Sequence, residues 1–258
     1  MRLRDSDRFR RQGKNDVKYL NTNRLDSLDD NEFKAQHPFP WINPEGALTD
    51  AGHRQLLDTL PDVSLFQKSF GYQRKHGQQA HDRYVLEYAE GLPVSEAWKA
   101  FIAELRGPEY RDFVCRMLGI QRFDLNCHWH YAPSGCSVSP HLDSSRKYGS
   151  QIFYFNTAED WDPAWGGQTV VLSDKNQRIR VPNPEFEDLE CVATSQTVGN
   201  YSLLFAQGAH SWHGVRALTC PENRMRKIFI VVINRLTPLL RLRRAVGDLP
   251  RGLSSAAA

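Results

Sequence analysis

Apolar positions along the chain fall into two regimes. Between about residues 48 and 118 they recur at helical spacing. Thr49 and Asp50 stand ahead of Leu56, Leu57 and Leu60, as a cap and first-turn acid stand ahead of an amphipathic helix. A second helix is predicted over 95–105, with Ala97, Phe101, Ile102 and Leu105 on one face. A third is predicted over 108–118, opened by Pro108 and stopped by Gly119. Beyond Gly119 the apolar runs shorten and alternate with turn segments rich in Gly, Pro and Asn. Strands are predicted at 123–131, 150–156, 168–172, 201–205 and 227–234. Helices followed by many short strands predict a mainly β fold with α, a sandwich or barrel buttressed on one face by the N-terminal helices.

The two ends read differently. Residues 1–36 are polar and rich in charge, which predicts a poorly packed arm or peripheral helix. Residues 237–258 interleave Leu239, Leu240, Leu242 and Val246 with Arg241, Arg243 and Arg244. That is a basic amphipathic tail, and peripheral membrane contact is the functional alternative to a simple packed terminal helix. A single domain over 37–236 is expected between them. The 258 residues are 40% hydrophobic and 24% charged, a balance that excludes a disordered or collagen-like chain. The longest apolar run, 228–233, is far short of the ~20 residues of a spanning helix. A net charge of +3 gives no reason to expect a nucleic-acid partner. Five widely spaced cysteines without a Cys-x-x-Cys pair predict reduced thiols. No apolar stretch follows the charged start, so a cytoplasmic location is the expectation.

The chemistry concentrates in His141-x-Asp143. On a strand, residues i and i+2 share a face, so both side chains can hold one ion. Completing a site takes a distal histidine, and His210 and His213 both follow the apolar strand at 201–205. Gly214 permits close backbone approach beside His213, which favours it. Two histidines and a carboxylate on one face of an octahedron leave positions for a co-substrate and dioxygen, as non-haem Fe(II) oxygenases require. Zinc accepts the same donors. Arg226 opens the strand at 227–233, and its planar fork suits a second carboxylate such as the far end of 2-oxoglutarate. His128 and His130 share a strand face but have no nearby acid or cysteine in sequence, so they are read as strand histidines or as residues shaping the substrate entrance. Trp161 and Trp165 are read as loop packing, and Arg146 and Lys147 as the pocket rim.

From about 37 to 234 the chain resembles the prolyl 4-hydroxylase-like branch of the Fe(II)/2-oxoglutarate-dependent dioxygenases. Tyr131, Gly135, His141-x-Asp143, Lys147, Tyr154 to Asn156, Trp161, Gly166 to Thr169, Gly199, Leu203 to Phe205, Ser211 to Gly214 and Arg226-Lys227 occur in the family's order. The resemblance implies a double-stranded β-helix (jelly roll) with helices behind its larger sheet. It implies His141, Asp143 and His213 as catalytic iron ligands and Arg226 as partner of the 2-oxoglutarate 5-carboxylate. By position it implies Tyr154 as a second bond to that carboxylate and Tyr131 as a wall of the co-substrate pocket. Fe(II), 2-oxoglutarate and dioxygen come with it, with ascorbate as an accessory. The implied reaction is hydroxylation of an unactivated C–H of a small molecule, amino acid or peptide, coupled to decarboxylation of 2-oxoglutarate to succinate and CO2. The family often has a hydroxyl residue where this chain has Ile228, which leaves more of the binding to Arg226 and Tyr154. Competing readings are an idle metal-binding jelly-roll module and a zinc hydrolase. The hydrolase wants a general-base Glu, and none lies in 141–143 or 210–214.

Overall fold

Local signals start and stop the helices where the pattern predicts. The structure, a computed structural model, describes residues 17–71, 81–175 and 183–236. Helices α1 (Thr22–Asp26) and α2 (Asp30–Ala35) precede the short strand β1 (Trp41–Ile42). Helix α3 (Asp50–Asp58) is capped by Thr49, whose hydroxyl accepts from the Gly52 N–H at 3.0 Å. Strands β2 (Gln67–Ser69) and β3 (Arg83–Glu87) follow, then α4 (Glu96–Leu105), capped by Ser95, and α5 (Pro108–Leu118). Pro108 begins α5, and Gly119 ends it in the left-handed region at φ 65°, where a side chain would be strained. The remainder is β4 (Asp124–Ala132), β5 (Val138–His141), β6 (Lys147–Tyr154), β7 (Val170–Ser173), β8 (Glu190–Thr194), β9 (Ser202–Ala206), β10 (His213–Val215) and β11 (Arg226–Asn234).

The strands form two antiparallel sheets. The larger runs β1-β9-β6-β11-β4-β3-β2 and the smaller β5-β10-β7-β8, the arrangement of a double-stranded β-helix. The larger sheet separates two environments by alternation. On β4, Cys127, Trp129 and Tyr131 face the helices while His128 and His130 face the smaller sheet. On β11, Phe229, Val231 and Ile233 join the helices' core, and Arg226, Ile228, Ile230 and Val232 face the other way. Trp98 of α4 is fully buried, its ring centroid 5.0 Å from Phe229 and 5.1 Å from Trp129. Aromatic packing of this density fixes the sheet against α4 and α5 and holds its opposite face in place.

The structure departs from the pattern in three places. The segment 17–36 is no loose arm: Tyr19, Leu20, Leu25, Leu28 and Phe33 are buried in the main core. Glu104 of α4 accepts from the Tyr19 and Leu20 N–H groups, and Arg116 of α5 donates to the Leu25 and Leu28 carbonyls. Helices of five and six residues are too short for their periodicity to show among so many charges. Strand β8, not foreseen from the pattern, pairs with β7. The β2–β3 hairpin, unforeseen, extends the larger sheet beyond β4. Among the described residues no helix is long and apolar enough to cross a membrane. The basic tail 237–258 lies outside the described residues. All five cysteines are free, as expected.

Candidate metal centre and its cavity

Antiparallel pairing of β10 with β5 sets His213 directly opposite His141, with imidazole centroids 4.4 Å apart. Asp143 follows just past the end of β5. One ligand atom from each of His141, Asp143 and His213 lies within 4.8 Å of the others. Close approach of the strands depends on Gly214, where an added Cβ would stand 2.8 Å from the Val138 carbonyl oxygen. The reason for a glycine after His213 is thus steric.

Both imidazoles are oriented as metal ligands. His141 Nδ1 lies 3.0 Å from the Ser139 carbonyl, and His213 Nδ1 lies 2.8 Å from the Ser211 carbonyl. Each Nδ1–H donates to its carbonyl, so each Nε2 lone pair is presented to the centre. Burial, and for His141 also the facing His213, lowers both pKa values and keeps the rings neutral. Burial opposes ionisation of Asp143, but Lys147 and the two histidines outweigh it and hold its carboxyl well below the usual range. Lys147 Nζ donates to Asp143 Oδ1 at 2.6 Å, and Ser150 Oγ lies 3.4 Å from Oδ2. Two neutral imidazoles and an ionised carboxylate suit a divalent transition metal. Lys147, expected at the rim, is thus the partner of the Asp143 carboxylate, which sequence reasoning left unassigned. His210 is drawn off elsewhere: its Nδ1 lies 2.8 Å from the Asp174 carboxylate, to which Trp212 Nε1 also donates.

Arg226 begins β11 and is only 7% exposed. Its Nε donates to the Gly167 carbonyl at 2.6 Å, and Nη2 lies 3.5 Å from Thr169 Oγ1. Burial lowers its pKa, with Tyr154 opposing. Among the described residues no carboxylate pairs with it. A buried cation without an anionic partner calls for an anionic ligand. Gly167 makes room for it: at φ 93° an added Cβ would lie 3.2 Å from Arg226 Cδ. Tyr154 is buried beneath the guanidinium, with Arg226 Cζ 5.8 Å from its ring centroid. The Tyr154 hydroxyl sits between Thr169 Oγ1 at 3.0 Å and Ser195 Oγ at 2.9 Å. Thr169 therefore brings a hydroxyl to Arg226 from β7's approach, although position 228 on β11 is Ile228.

Tyr131 is a correction. Alternation along β4 turns it away from the cavity, where it stacks on Phe66 with centroids 4.3 Å apart and donates its hydroxyl to the Pro61 carbonyl at 3.1 Å. The β4 side chains that do face the cavity are His128, His130 and Ala132. The cavity, about 820 Å³, lies between the sheets and reaches from Arg226 to the His-Asp-His group and out to β2 and β3. Trp161 packs edge-on to Trp165, 5.6 Å between centroids, and donates to the Gly166 carbonyl, consistent with loop packing.

Comparison by sequence finds no matching protein family and no curated protein. Comparison of structures does find relatives. A prolyl-4-hydroxylase of Pseudomonas putida matches at TM-score 0.56 and 19% identity over 84% of this chain and 99% of its own. A prolyl hydroxylase of Trichoplax adhaerens, in complex with a hypoxia inducible factor peptide fragment, matches at 0.59 and 14% over 88% and 94%. The non-heme alpha ketoglutarate dependent carbocyclase SnoK from nogalamycin biosynthesis matches at 0.55 and 11% over 81% and 85%. The fold is therefore the jelly roll that these oxygenases share.

Proposed function

We propose that this protein is an Fe(II)- and 2-oxoglutarate-dependent dioxygenase that hydroxylates an unactivated C–H of a small-molecule, amino-acid or peptidyl substrate. Per turnover, one dioxygen would give one hydroxylated product, one succinate and one CO2. The observation that carries the reading is a single cavity with a neutral-His, ionised-Asp donor set at one place and an uncompensated buried arginine at another. A redox-silent binding module has no need for both. Iron, when bound, supplies the one-electron chemistry by which dioxygen is activated.

The chain's own residues would do the rest. His141 and His213 present Nε2 while their Nδ1–H groups stay fixed on Ser139 and Ser211. Asp143 adds one negative charge, and the hydrogen bond to Lys147 occupies Oδ1, which favours ligation through Oδ2. Arg226, with Thr169 and Tyr154 beside it, would take the far carboxylate of 2-oxoglutarate and so orient its keto-acid end toward the metal. Ile228, Ile230, Ile152 and Phe205 line the cavity between these groups with apolar surface, which would exclude water from the reacting atoms. The substrate range is kept open by the structures that share the fold, one solved with a peptide fragment and others named from nogalamycin biosynthesis.

Anaerobic addition of Fe(II) and 2-oxoglutarate tests the reading, with visible absorption as the readout. A charge-transfer band in the intact protein, absent from His213→Ala, is the expected result, with succinate formed once air is admitted. Retention of zinc with no band in the presence of iron and 2-oxoglutarate would overturn it.

A further inference from the structure

The cavity face of the larger sheet is laid out in cross-strand rows, and one of them carries no charge. It runs Tyr154, Ile228, His130, Val85 and Gln67 across β6, β11, β4, β3 and β2. The next row runs Ile152, Ile230 and His128 and ends at Glu87, exposed at the rim. The metal group lies over the row after that, since Ser150 approaches Asp143 and Phe205 packs on His213 with centroids 4.5 Å apart. The path from Arg226 to the metal group thus crosses Ile228 and Ile230 of β11. His130 and His128 flank that path one strand over, toward the part of the cavity bounded by β2 and β3.

Neither imidazole has a hydrogen-bond partner among the described residues; the two rings face each other with centroids 5.9 Å apart. Backbone carbonyls fix the tautomers of His141 and His213, and among the described residues no group does so for this pair. Each ring is therefore free to donate or to accept. Burial, then Lys147 and Arg83, lowers the His128 pKa to about 4, and burial is the largest cause of a still stronger lowering at His130, so both rings are neutral at pH 7. The formal charges around the cavity are of both signs and are engaged. Lys147 holds Asp143, Asp82 accepts from the Gly71 N–H, Arg83 donates to the His81 carbonyl, and Lys68 lies over the Tyr84 ring. Lys68 and Arg83 stand against Asp82 and Glu87, which leaves this side of the cavity without a net sign. A formal charge brought to the pair would leave water without a counterion set to meet it.

We infer that His128 and His130 bind the substrate to be hydroxylated, and that they hold it by a hydroxyl group of a neutral small molecule, an alcohol or polyol. The inference rests on the dioxygenase reading, because it takes Arg226 to be occupied by 2-oxoglutarate. A hydroxyl both donates and accepts, so it uses one ring as donor and the other as acceptor. Rings with centroids 5.9 Å apart can both reach a single oxygen through hydrogen bonds of about 2.8 Å. A carboxylate only accepts and an ammonium only donates, and each adds an unmet charge. An amide divides its donor and acceptor between two atoms. Val85, Ile228 and Ile230 beside the pair give the carbon skeleton an apolar wall.

Imidazole NMR of the protein labelled with 15N-histidine and loaded with Zn(II) and 2-oxoglutarate tests this. The probes share a skeleton and differ in one group: benzyl alcohol, benzoate, benzylamine and benzamide, then the four cyclohexyl counterparts. His128→Gln and His130→Gln assign the resonances. The alcohols are expected to shift the His128 and His130 signals with Kd about tenfold below those of the acids, amines and amides. In His130→Phe the alcohols should bind about tenfold more weakly, and in His130→Gln, which again donates and accepts, most of that affinity should return. Alcohols that leave the pair unmoved, a charged probe or an amide that binds as tightly, or undiminished affinity in His130→Phe overturn the inference. The signals of His141 and His213 report separately: if zinc, or 2-oxoglutarate added after it, leaves them in place, the dioxygenase reading itself falls, and the hydroxyl assignment with it.

Discussion

Replacing Arg226 by Met separates a binding cation from a structural one. In the ligand-free protein the guanidinium makes two hydrogen bonds, to Gly167 and Thr169. Those bonds contribute about 1–2 kcal/mol each. Holding the cation out of water without a carboxylate partner costs several kcal/mol in the opposite direction. Arg226→Met, similar in volume, should therefore leave ligand-free stability unchanged within about 2 kcal/mol, or raise it. The ligand response should differ sharply. At one hundred times Kd a ligand stabilises the native state by about 2.7 kcal/mol. For a chain of this size that raises Tm by roughly 5–10 °C. Removing one partner of a buried charge pair costs about 3–5 kcal/mol, or roughly 10²–10⁴ in Kd. At the same 2-oxoglutarate concentration the variant's shift should then be at most about 1–2 °C. Thermal melts with Mn(II), with and without 2-oxoglutarate, read both quantities. A variant that keeps the full ligand shift, or that loses its fold without ligand, would refute the argument that Arg226 is held uncompensated for an anion.

Three further outcomes follow from the metal group and its surroundings. His213→Ala should weaken Zn(II) binding by calorimetry about 100-fold or more, whereas His210→Ala should leave it nearly unchanged because that ring is held by Asp174. Lys147→Met should lower metal-free stability by about 2 kcal/mol, less than for a fully buried pair since Lys147 is 27% exposed. Metal neutralises the stranded Asp143 in that variant, so its metal-induced rise in Tm should exceed the parent's; an equal rise would show that the pair carries no such load. The last outcome concerns pH. His128 has a folded pKa near 4 against about 6.5 when unfolded, so the unfolded chain binds the extra proton first and stability falls as pH drops through that window. From pH 7 to 4.5 the His128 contribution is on the order of 2 kcal/mol, and urea denaturation should show His128→Gln losing correspondingly less than the parent.

The sequence made the helices and the His141, Asp143 and His213 group legible because each rests on local rules. Ser95, Pro108 and Gly119 fix helix ends within a turn, and His141-x-Asp143, its acid just past the end of β5, needs only a short span of chain and one close approach by the glycine-backed His213. What stayed hidden depends on pairing between distant segments. Lys147 as the partner of Asp143, Thr169 as the hydroxyl beside Arg226, and the helix-packed 17–36 segment all depend on contacts made in three dimensions. Tyr131 shows the limit most clearly. Its spacing ahead of His141 fits the family's order, yet a strand has two faces, and spacing along the chain does not say which face a residue takes. Register does: Lys227 pairs with Tyr131 on the helix side, and Ile228 pairs with His130 on the cavity side. The cavity therefore receives an imidazole pair where an aromatic hydroxyl was expected. A neutral imidazole, donor on one nitrogen and acceptor on the other, binds a different class of group from a phenol, so the substitution of one face for the other bears directly on which molecules this jelly roll accepts.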